Sequence, residues 1–159
     1  MKDHIWLLFA FGTILCWGSY GPTIHTAQMA LEKNPWKALV LVGAAYFVIA
    51  VLVPVIMISA SGQGWSFGPR GTGFGLLAGA LGAGGALCVI CAMIFVTKAG
   101  VSRDVVMPII FGCAPVVTVV VSWIQHPPEK WPTYPFFFGI LCLAAGAGMV
   151  LQFKPPASH

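Results

Sequence analysis

The residues of this chain with side chains suited to binding a ligand are concentrated near its N-terminus. Five of them carry an aromatic ring, a hydroxyl or an imidazole: Trp17, Ser19, Tyr20, Thr23 and His25. Indole and phenol rings can stack on an organic molecule or contact a cation, and hydroxyls can orient its polar groups. Residues three or four positions apart share a face of a helix, so these side chains form neighbouring polar stripes. We predict that they line a binding pocket.

The same segment contains a pair of residues that weakens a helix, Gly21-Pro22. Pro22 has no amide hydrogen, so the carbonyl of Gly18 loses its helical partner, and Gly21 weakens the turn further. A freed carbonyl among hydroxyls can build a substrate site in a membrane-spanning helix, and the structural alternative is a packing kink. Pro54, Pro108 and Pro115 place similar soft points later in the chain. We expect a helix break at Gly21 and Pro22 and a hinge at Pro115.

Other kinds of chemistry have little support in the sequence. The cysteines all fall in apolar stretches and are predicted to be packing residues: Cys16, Cys88, Cys91, Cys113 and Cys142. Cys88 and Cys91 have no second pair or nearby histidine, so no metal site is expected. An intramembrane enzyme would need a nucleophile–base pair or metal ligands, and His25 is the only histidine within an apolar stretch. Neither enzymatic activity nor a cofactor is predicted.

The composition identifies the solvent that surrounds these residues. The 159 residues are 58% hydrophobic and only 8% charged, whereas about a quarter of the residues of a soluble domain are charged. So few charges cannot cover a water-facing surface, which excludes a cytosolic enzyme, a secreted disulfide scaffold and a disordered chain. The sequence therefore predicts an integral membrane protein in contact with the lipid bilayer.

Five apolar stretches are long enough to cross a hydrocarbon core of about 30 Å as helices. They cover residues 5–30, 36–60, 71–97, 105–124 and 135–153. These runs are continuous, unlike the alternating strands of a membrane barrel, and backbone groups in lipid must be satisfied within each segment. The connectors are short and leave no room for a soluble domain. We predict an all-α fold in which residues 1–159 form a single domain of five transmembrane helices.

The eight cations are scattered between the apolar stretches, so no basic cluster is available to bind nucleic acid. Five crossings place Lys2, Arg70 and Lys130 on the side of the N-terminus. The opposite side holds Lys33, Lys37, Lys98, Arg103 and Lys154. This distribution favours an inside C-terminus, and the bias is small enough that both orientations could insert.

The third span carries a ridge of small residues, with Gly71, Gly75 and Gly79 spaced four apart. Such a ridge allows the backbone of another helix to approach closely. We expect Gly71, Gly75 and Gly79 to mark a helix contact, either within the chain or between chains.

Several short motifs follow one another in a characteristic order. They are Cys16-Trp17-Gly18-Ser19-Tyr20, Ala99-Gly100-Val101-Ser102, Ala114-Pro115-Val116-Val117, the loop residue Glu129 and the glycine-rich segment from Gly139 to Gly148. This order resembles a single EamA-type repeat of the drug/metabolite transporter superfamily and covers most of the chain. The chain departs from the family in having Trp36-Lys37 where an arginine often begins the second helix. It also has one repeat where common members have two.

The resemblance implies an EamA-like half-transporter bundle that works as a homodimer. An antiparallel dimer would suit the weak cation bias, because inverted repeats are a general device for alternating access. We therefore expect a half-size secondary transporter or exporter of a small organic solute in a bacterial inner membrane, with its pocket at the first helix. The alternative is a non-transporting membrane subunit that docks to larger partners through the glycine ridge, which the lack of a buried coupling acid also suits.

Overall fold

The computed structural model describes residues 4–155 of the chain, and 83% of the structure is helical. No β-strand forms among these residues. Five helices are long and apolar enough to span a membrane. The prediction of an all-helical chain with five apolar helices is confirmed.

The five spans begin and end within two residues of the predicted positions. The first is α1 (Ile5–Ala30), and the second combines α2 (Pro35–Phe47), a π-helical segment (Val48–Leu52) and α3 (Val53–Ser61). The third is α4 (Pro69–Lys98). The fourth begins with a 3-10 turn (Arg103–Val105) and continues as α5 (Val106–Gln125), and the fifth is α6 (Tyr134–Gln152).

Local sequence explains where the second span begins. The side chain of Asn34 accepts hydrogen bonds from the amides of Trp36 (3.0 Å) and Lys37 (3.2 Å), so it caps α2. Pro35 occupies the first helical position, where its missing amide hydrogen is not needed. At the other end of the span, Gly62 adopts a left-handed conformation with φ of 66°, which ends α3.

The π-helical segment lies just before Pro54, where the sequence predicts a weak point in the helix. Pro54 has no amide hydrogen to offer the carbonyl of Ala50, four residues earlier. The amide of Val53 instead donates to the carbonyl of Val48, five residues back, which makes one wide turn. A π-turn inserts an extra residue into the helix and changes which side chains face a neighbour. The sequence predicts a break near Pro54 but not this wide turn.

The first helix is continuous where a break was expected. α1 includes both Gly21 and Pro22, so these residues do not divide it into two half-helices. The physical reason is that one proline removes a single backbone hydrogen bond, while the turns on either side keep theirs. Pro115 likewise lies inside the continuous helix α5.

The described spans turn most of their large apolar side chains outward. Leu8 is 66% exposed, Leu76 is 71% exposed and Ile124 is 76% exposed, and such side chains recur along all five spans. Water would not tolerate a surface of this kind, whereas lipid tails solvate it well. The five apolar helices are therefore consistent with contact with a lipid bilayer and indicate an integral membrane protein.

The chain divides into two compact units, Met1–Ile90 and Cys91–His159. In the first unit α1 packs against α2, and in the second α5 packs extensively against α6. Gly112 of α5 lies at a close approach in the second unit: a Cβ atom added to it would be 2.6 Å from the Cβ of Ala147. The side chain of Ala147 is buried, so α5 and α6 meet there with no room for a methyl group.

Candidate functional site

The first unit contains a cleft of about 540 Å³ between α1 and the second span. One wall is a face of α1 from Cys16 to Ala27, and the other runs from Ala38 in α2 to Ala50 in the π-helical segment. A volume of this size falls in the range of about 300–1,000 Å³ that is usual for small-molecule sites. Both walls belong to helices long and apolar enough to cross a membrane.

Three of the five predicted pocket residues line this cleft. Ser19, Tyr20 and Thr23 lie on its α1 wall. They share the wall with Ile24, which is only 4% exposed because α1 packs against α2 at this level. The structure thus places two hydroxyls and a phenol ring on the same side of α1, as their spacing of three and four residues requires.

The other two predicted residues, Trp17 and His25, are not part of the lining. Trp17 contacts the pocket indirectly, since its ring centroid lies 5.8 Å from that of Tyr20 with the planes tilted by 46°. This is a normal distance for an aromatic pair. His25 is half-buried on α1, immediately after Ile24, and it does not line the cleft. Trp17 can position the Tyr20 ring, while the structure gives His25 no place in the cleft wall.

The hydroxyl of Tyr20 is buried without a hydrogen-bond partner among the described residues. A buried hydroxyl left in this state costs about 1–3 kcal/mol relative to one that is satisfied. The side-chain nitrogen of Gln28, two turns further along α1, is in the same condition. Gln28 is 9% exposed and does not line the cleft, so Tyr20 is the one of these two residues that lines the candidate site.

Two other polar residues of α1 are satisfied within the helix itself. The Thr13 hydroxyl donates to the carbonyl of Phe9 (2.9 Å), and the Thr26 hydroxyl donates to the carbonyl of Pro22 (3.1 Å). Threonines that bond back in this way can face lipid at little cost. The polar side chains of α1 that indicate a binding site are therefore fewer than the sequence suggests. They are centred on Ser19, Tyr20 and Thr23.

Among the residues that the structure describes, no charged side chain lines the cleft. The ion pair between Lys37 and Glu32 lies outside it, with both side chains exposed, where α1 turns into α2. A cation moved into such a site without a carboxylate partner loses several kcal/mol of hydration. A cation–π contact with an aromatic ring returns about 0.5–2 kcal/mol, which does not offset that loss. The electrostatics of the cleft thus favour neutral molecules.

Sequence reasoning missed the contribution of the second span. Tyr46 of α2 lines the cleft opposite α1, and Ile49 and Ala50 of the π-helical segment complete that wall. The lining positions of this span recur every three or four residues from Ala38 to Ala50, as on one face of a regular helix. Nothing in the sequence indicated that this face would lie against α1.

The structure also shows where the cysteines and the other side chains that could bind a metal ion lie. All five cysteines are free thiols, and Cys16 alone lies on the cleft. Among residues 4–155, no three histidine, cysteine or acidic side chains come together as a metal ion would require. The described residues therefore supply the cleft with hydroxyl and ring groups and with no metal-binding cluster.

The glycine ridge of the third span has open space at its three glycines. A Cβ atom added to Gly71, Gly75 or Gly79 would meet nothing within 4 Å among the described residues. The expected helix contact of this ridge, within the chain or between chains, stays a prediction. Gly112, which no spacing motif marks, makes the close contact instead.

The chain was compared with known proteins at three levels. No family model, no curated protein and no solved structure matches it. The features of this chain that bear on its function are therefore the residues of the cleft and the exposed faces of its helices.

Proposed function

We propose that this protein is a half-size secondary transporter or exporter that moves a small organic solute across a bacterial inner membrane. The observation that carries the proposal is the cleft between α1 and the second span, because its α1 wall contains Ser19, Tyr20 and Thr23 in a helix long and apolar enough to span a membrane. Polar groups at this depth are expensive in lipid and usually serve a substrate or a water-filled path. The resemblance to an EamA-type repeat supports the same function.

Transport requires helices that can change shape. Each wall of the cleft contains one site at which the regular helical hydrogen bonding is interrupted. Pro22 removes one backbone hydrogen bond from α1, directly beside Thr23. The π-helical segment Val48–Leu52 forms part of the opposite wall. π-turns are frequent at functional sites because a helix can convert between wide and regular turns there. Both walls could therefore adjust as a solute enters and leaves.

The proposed working unit is a homodimer. The ridge formed by Gly71, Gly75 and Gly79 is exposed along one face of α4, and small residues at this spacing suit a helix of a second copy. Two copies would supply ten helices and two clefts. An antiparallel arrangement would give the inverted symmetry that alternating access commonly uses. Reporter fusions at the C-terminus should then show activity on both sides of the membrane.

The transport proposal is tested with purified protein in liposomes that contain a mixture of uncharged organic solutes, including nucleosides, aromatic amides and ketones. Release of at least one solute should be faster than from protein-free liposomes, as followed by mass spectrometry. Thr23→Val, which removes a hydroxyl from the cleft, should slow this release at least fivefold. Thr26→Val is the matched control, because its hydroxyl bonds to the carbonyl of Pro22 and does not line the cleft.

Trp17→Ala should also slow release, because the Trp17 ring supports the ring of Tyr20. Expression and dimer formation should stay normal in this variant. If no solute leaves faster than from protein-free liposomes, or if Thr23→Val and Thr26→Val behave alike, the transport proposal is wrong.

The second candidate function is that of a non-transporting membrane subunit. The observation in its favour is again the exposed ridge of α4, which would dock to a larger membrane partner. Blue native electrophoresis separates the two, since a dominant homodimer supports transport and a stable hetero-complex supports the subunit. If the protein is a membrane subunit, Gly75→Leu should cause the hetero-complex to dissociate, and Thr23→Val should leave it intact.

A further inference from the structure

The chemistry of the cleft walls limits the kind of solute that the site can accept. We infer that the cleft binds a neutral, largely apolar molecule that presents one hydrogen-bond acceptor to the hydroxyl of Tyr20. This inference rests on the proposed function and adds the class of its substrate. Three observations carry it: the uncharged lining, the unsatisfied hydroxyl of Tyr20 and the depth at which that hydroxyl lies.

The lining selects against ions. Apart from Ser19, Tyr20, Thr23, Tyr46 and Cys16, the side chains on both walls are aliphatic, and none carries a charge. An ion that entered would lose its hydration without gaining a counter-charge, whereas an apolar body gains by leaving water. The hydroxyls could orient such a body but could not neutralise a charge.

The Tyr20 hydroxyl determines the polarity of the bound group. A phenol donates a hydrogen bond more readily than it accepts one, because its lone pair is partly delocalised into the ring. The oxygen is buried and has no hydrogen-bond partner among the described residues, although Tyr20 lines the cleft. Rotation of the side chain, a common change on binding, would bring the hydroxyl to a ligand carbonyl. Binding would then satisfy a group that the protein itself leaves unsatisfied.

The position of Tyr20 along α1 indicates that the ligand with the hydrogen-bond acceptor is a free solute and not a membrane lipid. Tyr20 lies ten residues before Ala30, or about 15 Å of helix rise from the end of α1, and further still from Ile5. The acceptors of a lipid are its ester and headgroup oxygens, which lie at the membrane surface. Acyl chains at the level of Tyr20 carry no acceptor. A free solute with its acceptor on a compact body can reach this position.

The test compares three probes with the same aromatic body. Benzylacetone carries one ketone acceptor, butylbenzene has no acceptor, and phenethyltrimethylammonium carries a fixed positive charge. Binding to the full-length protein in lipid nanodiscs is measured by equilibrium dialysis, with empty nanodiscs as the reference for partitioning into lipid. Benzylacetone should bind at least fivefold more tightly than butylbenzene and at least tenfold more tightly than the cation.

Tyr20→Phe removes the hydroxyl and keeps the ring. It should weaken the binding of benzylacetone about fivefold, the loss typical of one hydrogen bond, and should leave butylbenzene unchanged. Tyr134→Phe is the matched control, because Tyr134 is 92% exposed at the start of α6 and outside the cleft. Retained binding of butylbenzene by Tyr20→Phe would also show that this variant folds.

Two results would overturn the inference: tighter binding of the cation than of benzylacetone, or equal binding of benzylacetone by the wild type and Tyr20→Phe. Equal binding of benzylacetone to loaded and empty nanodiscs would overturn it as well. These outcomes are separate from the transport measurement. Binding of benzylacetone without release of any solute from liposomes would refute transport and leave the inference standing, and the reverse pattern would refute the inference alone.

Discussion

Gly112 offers the most direct test of the packing described for the second unit. Replacing its hydrogen by a methyl group in Gly112→Ala would place the new Cβ 2.6 Å from the Cβ of Ala147 and 3.1 Å from the carbonyl oxygen of Leu143. Neither atom belongs to the end of a flexible side chain. Helices α5 and α6 would have to separate by nearly an ångström to reach an ordinary van der Waals distance, so the variant should be less stable.

Two effects of opposite sign contribute to the free energy of unfolding of this variant. Overpacking a tight contact costs about 1–3 kcal/mol. Alanine is favoured over glycine inside a helix by about 1 kcal/mol, which offsets part of that cost. Gly146→Ala separates the two, because Gly146 lies in α6 with nothing within 4 Å of its added Cβ. The difference between the two variants should therefore equal the packing cost alone, about 1–3 kcal/mol.

The measurement is far-UV circular dichroism of detergent-solubilised protein as the fraction of a denaturing detergent is raised. Gly112→Ala should unfold earlier than the wild type, and Gly146→Ala should unfold at the same point or later. Ala147→Gly removes the methyl group that Gly112→Ala meets, so the double variant should recover part of the loss. A coupling free energy of about 1 kcal/mol or more is expected.

The reasoning would be refuted if Gly112→Ala proved as stable as Gly146→Ala. It would also fail if the effects of Gly112→Ala and Ala147→Gly simply added, because additivity would mean that the two positions do not touch. Either result would show that α5 and α6 do not meet closely at this level.

Three further predictions concern local features of the fold. Asn34→Ala removes the acceptor for two amides at the start of α2 and should lower the free energy of unfolding by about 1 kcal/mol, as measured by the same denaturation. Pro54→Ala restores an amide donor, so the π-helical segment should become regular helix and the cleft wall at Ile49 and Ala50 should shift; the rate at which a water-soluble maleimide labels an Ile49→Cys variant should then change at least twofold, and an unchanged rate would contradict this. Trp123→Ala removes a ring that lies 5.4 Å from Trp131 and 5.7 Å from Phe137. Each such pair is worth about 0.5–1.5 kcal/mol, so proteolysis within residues 126–133 should accelerate, and unchanged cleavage would show that the cluster does not hold this loop.

The amino-acid sequence is sufficient to predict the number of apolar spans and, to within two residues, where each span begins and ends. Runs of apolar residues and the positions of Pro35, Gly62 and Pro69 are local features, and helical hydrogen bonds are local as well. The spacing of Ser19, Tyr20 and Thr23 likewise placed them on one side of α1, since the period of a helix follows from its backbone geometry. None of these conclusions needs a partner helix.

The contacts that each helix face makes with other helices depend on the tertiary structure. The spacing of Gly71, Gly75 and Gly79 predicted a helix contact, yet a Cβ atom added to any of them would meet nothing within 4 Å, whereas one added to Gly112 would meet Ala147. Tyr46 lines the cleft because α2 packs against α1, and Trp17 and His25 lie outside the lining although they share a helix with Tyr20. A side chain's direction follows from its own helix, but its neighbours depend on how two helices rotate and approach, and that geometry is set by many contacts together.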